Sequence, residues 1–181
     1  MNLFCLDYDP QKNARMYCNK HVVKMILELC QLLYACALVG GAQVDSMPVK
    51  AYKLTHKWHP TSIWVRQSKN NWLYTLELAM ALCKEYTRRY KKRHSCEKHF
   101  AALMDLGYHP PLETRLIKNV CGRIKDSKCT PLPLAMPKEC IVYKNDKPDT
   151  VESYRKYYRA KNEEWSKKGR PMKFVTKFCA V

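Results

Sequence analysis

The chain has 181 residues, 46% of them hydrophobic, which suits one globular domain and excludes a disordered or fibrous protein. Its 33 Lys and Arg outnumber 16 Asp and Glu, a net charge of +17. That surplus predicts a polyanionic partner, nucleic acid or nucleotide before an anionic membrane surface.

Residues 1–6 read as a short strand or an extended arm. Asp9 is placed to cap a helix and Pro10 to open it, since Pro lacks only an N–H that would be orphaned there. This helix is predicted to run unbroken from residue 10 to Val39. At about 100° per residue its apolar side chains cover most of the circumference. His21, Lys24, Glu28 and Gln31 fall on one narrow polar stripe, with Tyr17 and Lys20 at its border. A surface helix shows the reverse proportions, so the stripe reads as a pocket wall on a buried helix. The same three polar interruptions argue against a membrane span.

Gly40-Gly41 should end that helix, and residues 43–53 read as a loop. His56 and His59 precede Pro60, which can open a helix through Ile63, Trp64 and Val65; Ser68 or Asn70 can restart it. Trp72, Leu76, Ala79, Met80, Cys83, Tyr86 and Tyr90 then keep a helical period up to the basic run at residues 88–94. Ser95 is expected to cap a shorter helix through Met104, stopped by Gly107 and Pro110-Pro111. Residues 108–150 carry six Pro and little periodicity, and read as an extended loop wrapping the core. Thr150 should cap a last helix ending near Gly169. No convincing alternating strand pattern is present. The predicted class is mainly α: a single compact helical domain over 1–181, with a long central N-terminal helix and a long Pro-containing loop.

The ten cysteines are scattered with no C-x-x-C pair, and several sit inside apolar helical runs. Residues 1–10 hold two Asp and no basic residue, unlike a signal peptide. Free thiols in an intracellular, reducing compartment of a host cell, cytoplasm or nucleus, are expected.

Cleavage of a phosphodiester or glycosidic bond needs an acid, a base and a cation. His21 and Glu28 can fill the first two roles and Lys24 the third, with His56 and His59 joining from the second helix. Lys20, Tyr17, Gln31 and Arg66 would line the pocket. Arg88, Arg89, Tyr90, Lys91 and Lys92, with Tyr154, Arg155 and Tyr158 of the last helix, offer cations for phosphates and rings for bases. Cys18-x-x-His21 and His56-x-x-His59 could hold zinc. The metal-free set serves the same residues, so no cofactor is expected.

The motifs LDYDP (6–10), KHVVKMILELCQLL (20–33), THKWHPTSIWVRQS (55–68), ALCKEYTRRYKKRH (81–94), AMP (135–137) and YRKYY (154–158) resemble an uncharacterised protein family of phages and large DNA viruses. The architecture is also similar to that of the phage-type pyrimidine-dimer DNA glycosylases, which are small, basic and helical. That second resemblance implies an amino-terminal amine as nucleophile and an acid on the first long helix. Glu28 is its counterpart by position. The nucleophile has no matching residue, because Asn2 follows Met1 and its side chain disfavours removal of the methionine.

The expected function is therefore a virus-type enzyme that binds nucleic acid or a nucleotide and cleaves it, with DNA processing or repair first. A metal-independent phosphodiesterase acting on small or cyclic nucleotides is the alternative. A basic nucleic-acid-binding protein without catalysis is the third reading. The sequence leaves the oligomeric state open.

Overall fold

The computed structural model describes residues 2–107, 110 and 113–173, so Met1, Pro111 and Cys179 lie outside the described residues. Six helices are present: α1 Pro10–Met16, α2 Asn19–Val39, α3 Pro60–Gln67, α4 Lys69–Tyr90, α5 Glu97–Asp105 and α6 Thr150–Lys167. The mainly α class is as the sequence predicts.

The helix expected over residues 10–39 is broken in two. Asp9 Oδ1 accepts the Lys12 N–H at 2.9 Å and Pro10 opens α1 as expected. Tyr17 and Cys18 then turn extended, and the reason is what their polar groups reach. The Tyr17 hydroxyl donates to the Phe4 carbonyl at 2.6 Å, and the Cys18 N–H donates to the Tyr158 hydroxyl at 3.2 Å. Both side chains are fully buried. A continuous helix would withdraw these groups from their partners, so tertiary contact overrides the local helical pattern.

α2 lies at the centre and packs against α3 and α4, while α1 also lies on α4. It is long and apolar enough to cross a membrane by length and composition, but most of it is core: from Leu29 to Ala37 every side chain except the half-buried Gln31 is buried. Gly40 caps it, and Gly41 takes a φ of +75°, which a residue without Cβ adopts at no steric cost.

Residues 3–6 form neither strand nor free arm. They are buried, and their backbone groups are met by side chains: Leu6 N–H by Asn13 Oδ1 (2.9 Å), Phe4 O by Asn13 Nδ2 (3.0 Å), and Leu6 O by Arg155 Nε (3.0 Å). Unpaired buried backbone is costly, and Asn13 stands in for a neighbouring strand.

His59 caps α3 through Nδ1, which accepts the Thr61 N–H at 3.2 Å, and Ser68 Oγ caps α4 by accepting from Asn71 at 3.1 Å. Two caps differ from expectation. Cys96 rather than Ser95 precedes α5, and Asp149 rather than Thr150 caps α6 by accepting from Glu152 at 3.0 Å. Thr150 Oγ1 instead donates to the Arg123 carbonyl at 2.7 Å.

The stretch read as a plain loop contains two small antiparallel pairs. β1 (Cys121–Gly122) pairs with β2 (Leu132–Pro133), and β3 (Val142–Lys144) with β4 (Lys147–Asp149). The turn between β3 and β4 is Asn145-Asp146, both at positive φ (50° and 57°). These two residue types tolerate the left-handed region better than most, and two such residues in succession make a tight hairpin. The nine described cysteines are free thiols.

Candidate active site

The N-terminal half of α2 carries the polar stripe to the edge of the core, where α6 and residues 2–4 close over it. Between them lies a cavity of about 470 Å³. α2 contributes Lys20, His21, Lys24, Met25 and Glu28, and α6 contributes Tyr157, Lys161 and Trp165. Asn2, Phe4 and Ala135 complete the wall. His21, Lys24 and Glu28 therefore share one space, although a larger cavity of about 560 Å³ lies elsewhere, beside Tyr8 and Cys121.

Glu28 is the group on which the wall converges. Its Oε2 accepts the backbone N–H of Asn2 at 3.0 Å, and its Oε1 lies 3.2 Å from Lys24 Nζ. Asn2 is itself fixed: its Nδ2 donates to the Ala135 carbonyl at 2.8 Å, and its Oδ1 accepts the Leu3 N–H at 2.8 Å and the Tyr154 hydroxyl at 3.3 Å. The carboxylate is thus held between a fixed backbone donor and a side-chain amine. Lys24 has 71% of its side-chain surface exposed against 13% for Glu28, so the amine faces the opening and the acid lies deeper.

His21 is buried in an aromatic setting. Phe4 stacks on it at 4.6 Å and Trp165 meets it edge-on at 5.3 Å. Its Nδ1 lies 2.5 Å from the Tyr158 hydroxyl, which also accepts from Cys18. Burial first, then the Lys161, Lys24 and Lys20 charges, lowers its pKa to about 3. The ring is neutral at physiological pH, so Nδ1 accepts the Tyr158 proton and its own proton sits on Nε2. The acid–base pair expected of His21 and Glu28 reduces to Glu28, with His21 acting as a wall of the cavity.

Cations surround this space. Lys20 Nζ lies 4.7 Å from the Trp165 ring centre and donates to the Arg170 carbonyl at 3.3 Å; Lys161 Nζ lies 4.7 Å from the Tyr157 ring. A second hollow of about 310 Å³, lined by Lys20, Trp165, Lys168 and Arg170, continues from the first past the Trp165 ring. The arrangement offers positive charge for phosphates and half-buried ring faces for a base.

The remaining residues expected at the site fall elsewhere. His59 is close enough for the Glu28 charge to act on it, opposing the burial that lowers its pKa, but neither His59 nor the exposed His56 lines the cavity. Tyr17, Tyr154 and Tyr158 are core residues with no ring face open to a base. Arg66 is 1% exposed and binds Glu113, Ser62 and Lys57, so it braces the chain ahead of α3 rather than a ligand. Arg155 is engaged with Leu6 O and Glu152. In the basic run, Arg88 and the buried Arg89 both bind Glu85, and the Tyr90 hydroxyl donates to the Asn19 carbonyl. Lys91 and Lys92 are exposed, and Gln31 is half-buried away from the cavity wall. Cys18 and His21 serve the core and Tyr158, and among the described residues no three His, Cys, Asp or Glu side chains converge as a metal set.

Sequence reasoning missed Asn2, Phe4, Tyr157, Lys161 and Trp165. The last three carried a signal, since spacings of four put them on one face of α6.

A mainly helical, basic chain with an acid and an amine in an aromatic-lined cavity has the make-up of an enzyme that handles nucleic acid. Residues 1–98 match the family described as pyrimidine dimer DNA glycosylase. That match spans more than half of the chain, which belongs to this family, one of enzymes that act on DNA. No curated protein and no solved structure matches it.

Proposed function

We propose that this protein excises a damaged pyrimidine from DNA at the Glu28 cavity. Enzymes that act on a base within a duplex must extrude a nucleotide to reach it. A cavity of about 470 Å³ is large enough for one nucleotide, and Lys20, Lys24 and Lys161 surround its opening with charge for the flanking phosphates. The observation that carries the reading is the placement of Glu28 between the Asn2 N–H and Lys24 Nζ, at 3.0 and 3.2 Å. Excision at the sugar needs a carboxylate able to exchange protons beside an amine or other nucleophile, and the chain supplies both without a cofactor. The free thiols suit a reducing, intracellular setting.

Incubation with a duplex oligonucleotide bearing one cyclobutane pyrimidine dimer should release the base or cut the strand, with no action on the undamaged duplex. Hydrolysis of cyclic nucleotides alone would replace this reading with that of a phosphodiesterase. Tight binding of every DNA tested with no turnover would leave a non-catalytic binding protein.

A further inference from the structure

We infer that Lys24 is the amine that attacks the sugar and forms the covalent intermediate, an assignment that rests on the excision reading above. Two nitrogens meet the Glu28 carboxylate, the Asn2 backbone nitrogen on Oε2 and Lys24 Nζ on Oε1. The Asn2 nitrogen follows Met1 in the sequence and is a peptide nitrogen, whose lone pair is delocalised into the carbonyl and is not nucleophilic. Its N–H is spent on holding the carboxylate. Lys24 is a primary amine with an exposed side chain at the mouth of the same cavity.

The neighbouring lysines are engaged differently. Lys20 Nζ donates to the Arg170 carbonyl and sits over Trp165, and Lys161 Nζ lies over Tyr157. Among the described residues, Lys24 is the lysine of this cavity that forms an ion pair with Glu28.

The proton inventory closes with these two side chains. Lys24 gives a proton to Glu28 Oε1 and its free amine adds to the C1′ aldehyde of an opened abasic sugar. The protonated Glu28 then gives that proton to the carbinolamine hydroxyl, which leaves as water, and a positively charged C1′=N bond remains. Glu28, again a carboxylate, removes a C2′ proton. The released electron pair expels the 3′ oxygen, which departs with its phosphate. Water finally hydrolyses the C=N bond and frees Lys24 as the ammonium.

Borohydride reduction of the full-length protein with a duplex carrying a single abasic site tests this, because hydride converts the C=N bond to a stable secondary amine. Peptide mass mapping should place the adduct on Lys24. Lys24→Arg, which keeps the charge beside Glu28, should reduce the trapped fraction by at least a hundredfold while the protein still binds the same DNA. An adduct on the amino-terminal amine, or undiminished trapping in Lys24→Arg, would overturn the assignment while leaving excision standing. Absence of both adduct and strand cleavage on abasic and dimer-containing DNA would overturn excision and Lys24 together.

Discussion

Glu28 Oε2 accepts the backbone N–H of Asn2 at 3.0 Å, a bond between residues 26 positions apart that ties the start of the chain to the middle of α2. The same carboxylate holds Lys24 on its other oxygen. Glu28→Gln keeps the shape but neither the charge nor the ability to take a proton. Loss of a positioned acid–base group costs roughly 10²- to 10⁴-fold in rate. Incision of dimer-containing duplex should fall by that order. Stability should change little, since a solvent-facing pair contributes about 0–1 kcal/mol. Full activity in this variant would remove Glu28 from the chemistry.

Lys20, Lys24, Lys161, Lys168 and Arg170 ring the two connected hollows. If each meets a phosphate, log K should fall against log salt with a slope of about −4 to −5. Lys168→Ala combined with Arg170→Ala should make the slope about 2 units shallower. Fluorescence titrations of labelled duplex at several salt concentrations would measure this, and a flat titration would contradict it.

The neutral state of His21 predicts a pH dependence with a defined sign. Its folded pKa of about 3 lies below the ordinary 6.5. The folded state therefore binds fewer protons than the unfolded one, and the associated stability is complete above about 6.5 and is lost as pH falls from there towards 3. At about 1.4 kcal/mol per pH unit, the loss between pH 7.5 and 4.5 approaches 3 kcal/mol. Urea unfolding at these two pH values should show a larger drop for the natural protein than for His21→Phe. Equal drops would show that His21 is not held neutral by the fold.

Arg66 separates a brace from a ligand contact. Its guanidinium is 2% exposed, 3.3 Å from Glu113, and it donates to Ser62 and Lys57 carbonyls at 3.1 and 3.0 Å. Arg66→Met leaves those acceptors without a partner, and breaking a buried pair costs about 3–5 kcal/mol. Thermal unfolding should reveal the loss, with DNA affinity unchanged at temperatures where the variant is folded. Unchanged stability with weakened binding would return Arg66 to the interface.

The residues that set helix ends and the polar stripe were readable because their physics is local. Asp9-Pro10, Ser68 and Gly40-Gly41 act through their own backbone, and the His21/Lys24/Glu28 line follows from helical geometry alone. The break at Tyr17-Cys18 was not readable, since it is imposed by Phe4 and Tyr158 from distant parts of the chain. For the same reason composition could not sort the tyrosines of α6. Tyr154 and Tyr158 face the core while Tyr157, between them in sequence, faces the cavity. Nor could it separate Arg88 and Arg89, engaged by Glu85, from the exposed Lys91 and Lys92. The β3–β4 hairpin was legible in Asn145-Asp146, had turn chemistry been weighed ahead of missing alternation.

Glu28 and Lys24 stand on the same helix as Leu29, Cys30, Leu32 and Leu33, which are fully buried at the centre of the core. The lower part of the catalytic wall is consequently inseparable from the last element to open. Amide hydrogens from Glu28 to Ala35 should exchange with deuterated solvent only through global unfolding, at the slowest rates in the chain. Access to the cavity must then come from the other wall. Movement of α6 and its Tyr157–Trp165 face can admit a substrate while the carboxylate stays fixed to the most protected backbone in the molecule.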